Sequence, residues 1–283
     1  MIVVTAAAGK LGRATAAALR ASLPAAQVRL TARDPAKLAN LAAAGFEVGY
    51  GDYDDAASLA TAFAGAHAIL LISSPELETA VRRRQHGTAI AAATRVGARI
   101  VYTSFTNANA DSRFLGAAAH AEAEALLRAG TAPFTLLRTN QYVANLDGVL
   151  GPARASGVLA MPAIGAKVAW LAHCDAGAAA AAVLTGGGHE GRCYELTGPE
   201  ALDGYGVAAA LAVAAGRPVV AQDVGLDEFR SRFRLYGMAE RTIDYLISLY
   251  EAAAAGEYAA VSEDLARLIG RPPTPLNEAL QAG

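Results

Sequence analysis

The chain has 283 residues, enough for one large domain or for a core domain with a smaller lobe. Its formal net charge is −2 with both signs interspersed, which leaves no basic stripe for a nucleic acid and no polybasic anchor for a membrane surface. Hydrophobic residues make up 54%, but much of that is alanine and aromatics are only 6%, so the composition speaks for small helix formers rather than for a membrane span of roughly 18 strongly apolar residues.

The first predicted strand, Ile2-Val-Val-Thr5, runs into Ala6-Ala-Ala-Gly9-Lys10-Leu-Gly12 and then into an alanine-rich helix. That order suits a dinucleotide pyrophosphate. Small residues let the backbone approach the phosphates, and the helix aims its free N–H groups and positive dipole end at the anion. Thr5, Ala7, Gly9, Lys10, Leu11 and Gly12 are the candidate cofactor contacts of this turn. The spacing is A-x-x-G-x-x-G, with Ala6 where a first glycine is expected. If that position takes a positive φ, alanine costs roughly 1–2 kcal/mol there.

Short apolar strands near 2–6, 27–32, 46–50, 67–73, 99–104 and 134–139 alternate with helices near 10–22, 35–44, 55–63, 79–97 and 117–129. Asp34 and Pro35 fit the cap and first turn of the second helix, and Gly45, Gly97 and Gly130 stand where helices should stop. This βαβ series predicts an α/β fold, a Rossmann-type doubly wound parallel sheet. After about residue 145 the pattern loosens. Residues 148–167 read as loop and small elements, 175–185 as a helix and 192–197 as a strand; 203–216, 226–236, 239–254 and 262–269 read as helices. The expected division is an NADP-binding domain over 1–147, with 170–198 returning to it, and a mostly helical substrate lobe over 148–169 and 199–283. Such a lobe would lie over the carboxyl ends of the strands, where ligands bind in these folds.

The strand ends carry the candidate chemistry. The second strand ends in Arg33 rather than an acid, which suits the 2′-phosphate of NADP(H) over a free ribose hydroxyl; the plainer reading is a solvated surface arginine. Asp52 after the third strand either bonds the adenine amino group or caps the helix beginning near 55. Ser73 and Ser74 end the fourth strand, and Thr103, Ser104 and Phe105 end the fifth; they are expected along the ribose and nicotinamide, although small hydroxyl residues also form turns. Asn140, Gln141 and Tyr142 follow the sixth strand, where they either line the acceptor pocket or form a polar loop. Tyr142 could stack on a flat ring. His120 and Glu124 are one helical turn apart, so the carboxylate either steadies an imidazole near the acceptor or makes an ordinary surface pair. His173 and His189 read as loop residues without a role. Cys174 and Cys193 lack metal-ligand spacing and are expected as free, buried thiols in a reducing cytoplasm, with no metal site and no secretion signal.

These motifs carry a resemblance. The N-terminal turn through Gly12, Arg33-Asp-Pro-Ala-Lys37, Gly51-Asp-Tyr53, Leu70-Leu-Ile-Ser-Ser74, Val101-Tyr-Thr-Ser104, His120-Ala-Glu-Ala-Glu124, Thr135-Leu-Leu-Arg138 and His189-Glu-Gly-Arg-Cys-Tyr-Glu-Leu196 resemble the NmrA-like atypical short-chain dehydrogenase/reductases, in particular their bacterial quinone- and triphenylmethane-reducing group. The resemblance covers nearly the whole chain; Ala6 departs from the family's usual glycine. It implies an NADPH domain, a smaller substrate lobe, hydride transfer to quinones or other conjugated electrophiles, and a histidine near the nicotinamide at the place of His120; with the strand-end residues Tyr142 and Ser104, His120 makes up the catalytic candidates. None of the ten tyrosines has a lysine four residues on, and no lysine lies between Lys37 and Lys167, so the tyrosine–lysine machinery of ordinary short-chain dehydrogenases is absent. A quinone does not need it. The expectation is a cytoplasmic NADPH-dependent reductase of a small aromatic or quinone-like molecule. The alternatives are an NADP(H)-binding redox sensor without turnover and a pathway-specific C=C or C=N reductase. The acceptor's identity and a homodimeric state are left open.

Overall fold

The strands of the first half are short, apolar on both faces and therefore suited to burial between two helical layers. In the computed structural model, which describes residues 1–281, they alternate with helices in the order β1 (Ile2–Val4), α1 (Lys10–Ser22), β2 (Val28–Ala32), α2 (Ala39–Ala43), β3 (Glu47–Tyr50), α3 (Ala56–Phe63), β4 (Ala68–Leu71), α4 (Thr79–Arg95), β5 (Arg99–Phe105), α5 (Ala117–Ala129) and β6 (Phe134–Thr139). There follow α6 (Asp147–Ser156), β7 (Val158–Met161), α7 (His173–Thr185), β8 (Cys193–Leu196), α8 (Gly204–Ala215), β9 (Val220–Asp223), α9 (Leu226–Leu235), α10 (Glu240–Ala254), α11 (Asp264–Ile269) and α12 (Leu276–Gln281).

Seven strands form one parallel sheet in the order β3-β2-β1-β4-β5-β6-β8, with Ile2 opposite Val28 on one side and Ala68 on the other. The order reverses between β1 and β4, and that switch point opens a crevice at the strand carboxyl ends. Side chains alternate across the sheet. Ile2, Val4, Leu30 and Leu70 face α1 and α7, while Val3, Ile69, Ile100 and Tyr102 face α3, α4 and α5. A third core, built on Leu159, Trp170, Val207, Phe233 and Ile247, belongs to the lobe, where β7 and β9 pair in parallel.

Several expectations need correction. The helix expected over 35–44 is a 3₁₀ turn, Pro35–Leu38, followed by the short α2. Residues 148–167, expected as loop and small elements, hold most of α6 and the short β7. Despite Pro152, α6 forms because Val149, Leu150 and Ala153 bury one face, and Gly157 ends it in a left-handed conformation. β9 and α12 were not expected. α11 packs on α7 and β8, with Leu265 in the core beneath α1, so residues 199–283 do not lie wholly in the lobe. Cys174 and Cys193 are free but exposed rather than buried. No helix among the described residues is long and apolar enough to cross a membrane.

Candidate active site

The turn between β1 and α1 is built for close approach. A Cβ added at Gly12 would sit 2.5 Å from Ala7 Cα and 2.9 Å from the Ala6 carbonyl oxygen, so only glycine lets the helix start against the turn. Ala6 has φ 47°, the strained left-handed region. The Ala7 amide donates to the Thr31 carbonyl (2.9 Å) and the Gly9 amide to the Ala6 carbonyl (3.0 Å). Gly9 caps α1 without a side-chain bond, and the first bond of the helix runs from the Arg13 amide to the Gly9 carbonyl (3.0 Å). The amides of Lys10, Leu11 and Gly12 therefore point outward at the positive end of the helix.

A groove of about 350 Å³ opens over this turn, lined by Ala6, Ala8, Gly9, Lys10, Leu11, Gly12, Arg33, Lys37, Asp52, Ser73 and Ser74 among others. Of the expected cofactor contacts, Thr5, Ala7 and Thr103 do not line it. Thr5 is buried, bonded to the Tyr53 hydroxyl and the Leu70 carbonyl, and its oxygen accepts from the Ile72 amide (3.0 Å). Thr103 accepts from the Ser73 amide (2.9 Å), holding the β4 end beneath the groove. Ala8, Lys37, Tyr53, Glu76 and Gln85 line it as well, though the strand-end rule did not single them out.

Arg33 lies at the groove wall, largely exposed, with Glu76 at 3.7 Å. Asp34 lines the groove too, its carboxylate accepting from the Ala36 amide (3.1 Å), so the cations Arg33 and Lys37 stand at this edge beside the acids Asp34 and Glu76. The alternatives for Asp52 resolve in part. Asp55, not Asp52, caps α3, accepting from Ala57 and Ser58 amides; Asp52 accepts from the Asp54 amide (3.0 Å) and lines the groove. Ser74 donates to Gln85 Oε1, and its own amide donates to His86 Nε2 (3.0 Å).

A dinucleotide fits these residues: a close-approach glycine, outward amides at a helix start, and a cationic strand end.

His120, Ser104 and Tyr142 do not meet at one point, and none of the three lines this groove. The expected His120–Glu124 contact is not formed. His120 is buried and its Nδ1 lies 3.1 Å from the Tyr102 hydroxyl, which also contacts His86 Nδ1 at 3.2 Å. Burial, with Arg82 and His86 close by, holds the His120 pKa well below the usual histidine value, so the ring is neutral. Glu124 instead accepts from Ser104 Oγ (2.6 Å) and from Arg138 at 2.7 Å. Burial would raise its pKa, but the bonds from Arg138, Ser104 and Arg128 outweigh it and hold the carboxyl below the usual range. The Arg138–carboxylate attraction is stronger than an i,i+4 contact to a neutral ring, which is why Glu124 turns to the sheet.

The face of Tyr142 is taken by His173, which opens α7 rather than sitting in a loop; the rings stack at 4.0 Å. His189, also read without a role, bonds the Tyr194 hydroxyl (2.9 Å). Phe105 packs between Phe114, His120 and Tyr258. Asn140 is buried; its amide donates to the Tyr258 carbonyl (3.0 Å) and its oxygen accepts from the Gln141 amide (2.7 Å).

Gln141 reaches a second cavity, about 240 Å³, in the lobe between α6, β7, α8, α9 and α10. An exposed ion pair links an element of each. Lys10 of the groove donates to Asp147 Oδ2 at 2.9 Å, and Asp147 immediately precedes Gly148 and Val149 of the lobe cavity.

Comparison with known proteins places this geometry. The NmrA-like family matches residues 1–269. The chain is 36% identical over 282 residues to quinone oxidoreductase 2 of Escherichia coli, covering 99% of this chain and 97% of that one. The solved structure of the E. coli NADPH-dependent quinone oxidoreductase with NADPH superposes with TM-score 0.92 at 35% identity, covering 100% and 99% of the two chains. A Citrobacter sp. triphenylmethane reductase complexed with NADP(H) also gives 0.92, at 32% identity and the same coverage.

Proposed function

The chain belongs to the NmrA-like family, and from that footing we propose that it is an NADPH-dependent reductase that passes hydride to a quinone or a similar conjugated acceptor. The observation that carries the reading is a close-approach glycine turn at the start of α1, in a groove where Arg33 and Lys37 stand at the β2 end, together with a largely apolar cavity in the lobe. In this assignment the amides of Lys10, Leu11 and Gly12 bind the pyrophosphate, Arg33 and Lys37 hold the 2′-phosphate, Asp52 meets the adenine, and Ser73 and Ser74 follow the ribose. Thr5, Ala7 and Thr103 support that wall from beneath.

NADPH bound in the groove supplies one hydride, and a proton from water completes the two-electron reduction of a quinone to its hydroquinone. The chain's own work is to orient the acceptor and exclude competing water. No strongly acidic donor is required. His120, neutral and buried, positions Phe105 at the nicotinamide end; Ser104 fixes Glu124; Tyr142, stacked on His173, fixes the loop that carries Gln141 toward the acceptor. We divide the chain functionally into cofactor binding by 1–147 with 170–198, and acceptor binding by 148–169 and 199–283 apart from α11, which packs back on the cofactor domain.

The test is loss of NADPH absorbance with a small quinone. Turnover with NADPH in clear preference to NADH is the expected result. Tight NADPH binding with no oxidation across quinones, azo dyes and triphenylmethane dyes would overturn the reading in favour of a sensor.

A further inference from the structure

Among the described residues, four buried side-chain polar atoms have no hydrogen-bond partner: Arg82 Nε, Gln141 Nε2, Trp170 Nε1 and Tyr258 OH. Gln141, Trp170 and Tyr258 all line the lobe cavity. Buried polar groups in native proteins are nearly always satisfied, so three donors left over around one space describe what that space is built to hold. Its occupant accepts hydrogen bonds.

The donors are held from behind. Gln141 Oε1 accepts from Asn145 Nδ2 at 2.6 Å, which leaves the Gln141 amide nitrogen for the cavity. The Tyr258 backbone is pinned by Asn140 Nδ2 and the Ala169 amide, both at 3.0 Å to its carbonyl. Burial raises the Tyr258 pKa, Glu257 adds to it and the neighbouring Gln141 side chain partly offsets it, so the phenol stays protonated and donates. The Gln141 and Tyr258 side chains thus stand close enough to interact with each other, both neutral, and neither Gln141 Nε2 nor Tyr258 OH makes a well-formed hydrogen bond to any other group.

The rest of the wall selects by charge. Its one ionisable acid, Asp203, accepts from the Gly206 amide (2.9 Å) to cap α8, and no lysine or arginine lines the space. A phosphate, sulfonate or carboxylate would enter without a counter-ion, which burial penalises heavily. Val149, Met161, Phe233 and Leu249 offer contact to a flat apolar body.

We propose that the lobe cavity is the acceptor subsite and selects an uncharged, flat, carbonyl-bearing molecule, one carbonyl oxygen accepting from both Gln141 Nε2 and Tyr258 OH. The assignment rests on the reductase reading for its chemistry but on these donors for its site and its selectivity.

Trp170 is the chain's only tryptophan and lines the cavity, so its emission reports occupancy without turnover. The probes are 2,3-dimethyl-1,4-naphthoquinone, whose substituted ring does not alkylate thiols, and its sulfonate derivative, each titrated in the absence of NADPH. Saturable quenching by the neutral quinone and at least tenfold weaker binding of the sulfonate are expected. Tyr258→Phe, which keeps the ring, and Gln141→Leu should each weaken the quinone about tenfold and raise its KM alike, with kcat and NADPH affinity little changed. Equal binding of the two probes, or unaltered quenching and KM in Tyr258→Phe, overturns the proposal while leaving the reductase reading intact. Quenching that follows the expected pattern without any NADPH oxidation supports this site and removes the reductase reading instead.

Discussion

Ala6 holds a left-handed backbone, φ 47°, at the turn where a glycine would rest without strain. Ala6→Gly should therefore stabilise the protein by about 0.5–1 kcal/mol, the relieved strain being partly offset by a looser unfolded chain. Calorimetry should register a Tm about 1–3 °C higher, with NADPH affinity unchanged. Arg33→Ala removes the cation at the groove edge while leaving the Asp34 cap in place. It should raise the KM for NADPH by about tenfold or more and leave that for NADH nearly unaltered, because a charge-assisted bond to phosphate is worth roughly 1.5–3 kcal/mol; equal changes would return Arg33 to the solvent. At this scale the sequence was legible where backbone geometry dictates residue type, as at Gly12. It was misleading where side chains choose partners across the fold. Helical spacing pointed Glu124 at His120, whereas Arg138 from the adjacent strand took the carboxylate and Tyr102 took the imidazole.

The sheet and its covering helices were readable because apolar periodicity and glycine stops agreed along the first half of the chain. The lobe was harder. Gly148, Gly151 and Pro152 suppress the helical signal of α6, and the helix exists because Val149, Leu150 and Ala153 find a core that no local pattern announces. β9 is largely exposed and polar, and only its pairing with β7 makes it a strand. Tight seams between elements were equally silent. α7 lies on α1 so closely that a Cβ at Gly177 would stand 2.6 Å from the Ala14 carbonyl carbon and 2.7 Å from the Thr15 nitrogen, backbone atoms that cannot yield alone. Gly177→Ala should part these helices at a cost of about 2 kcal/mol or more, lowering Tm by roughly 5 °C and weakening cofactor binding through the displaced start of α1. Calorimetry and NADPH titration of the same preparation read both effects.

Taken as a whole, the molecule stores acid sensitivity in neutral histidines, His86 and His120 buried and His173 half-buried. Burial, then Arg82, pushes the His86 pKa down to about 4 against a backbone contact with Ala119; burial and Lys10 push His173 to about 4; His120 is shifted the same way. Each folded value lies below the unfolded one near 6.5, so the stability is present above that pH and is lost as pH falls through 6.5 toward the folded values. His86 alone should contribute a loss of about 2 kcal/mol by pH 5. Denaturant midpoints measured between pH 7.5 and 5 should fall accordingly, and His86→Gln should flatten the slope. The chain also closes its sheet late. β6 gains its outer neighbour only from residues 193–196, beyond the whole of α6, β7 and α7. On the ribosome, at about 5–20 residues per second, that edge stays bare for several seconds after β6 itself emerges. A nascent chain arrested before β8 therefore carries an open ladder that invites pairing with any passing strand, and holding such chains from aggregation becomes the task of chaperones until synthesis reaches residues 193–196 and brings the missing strand home.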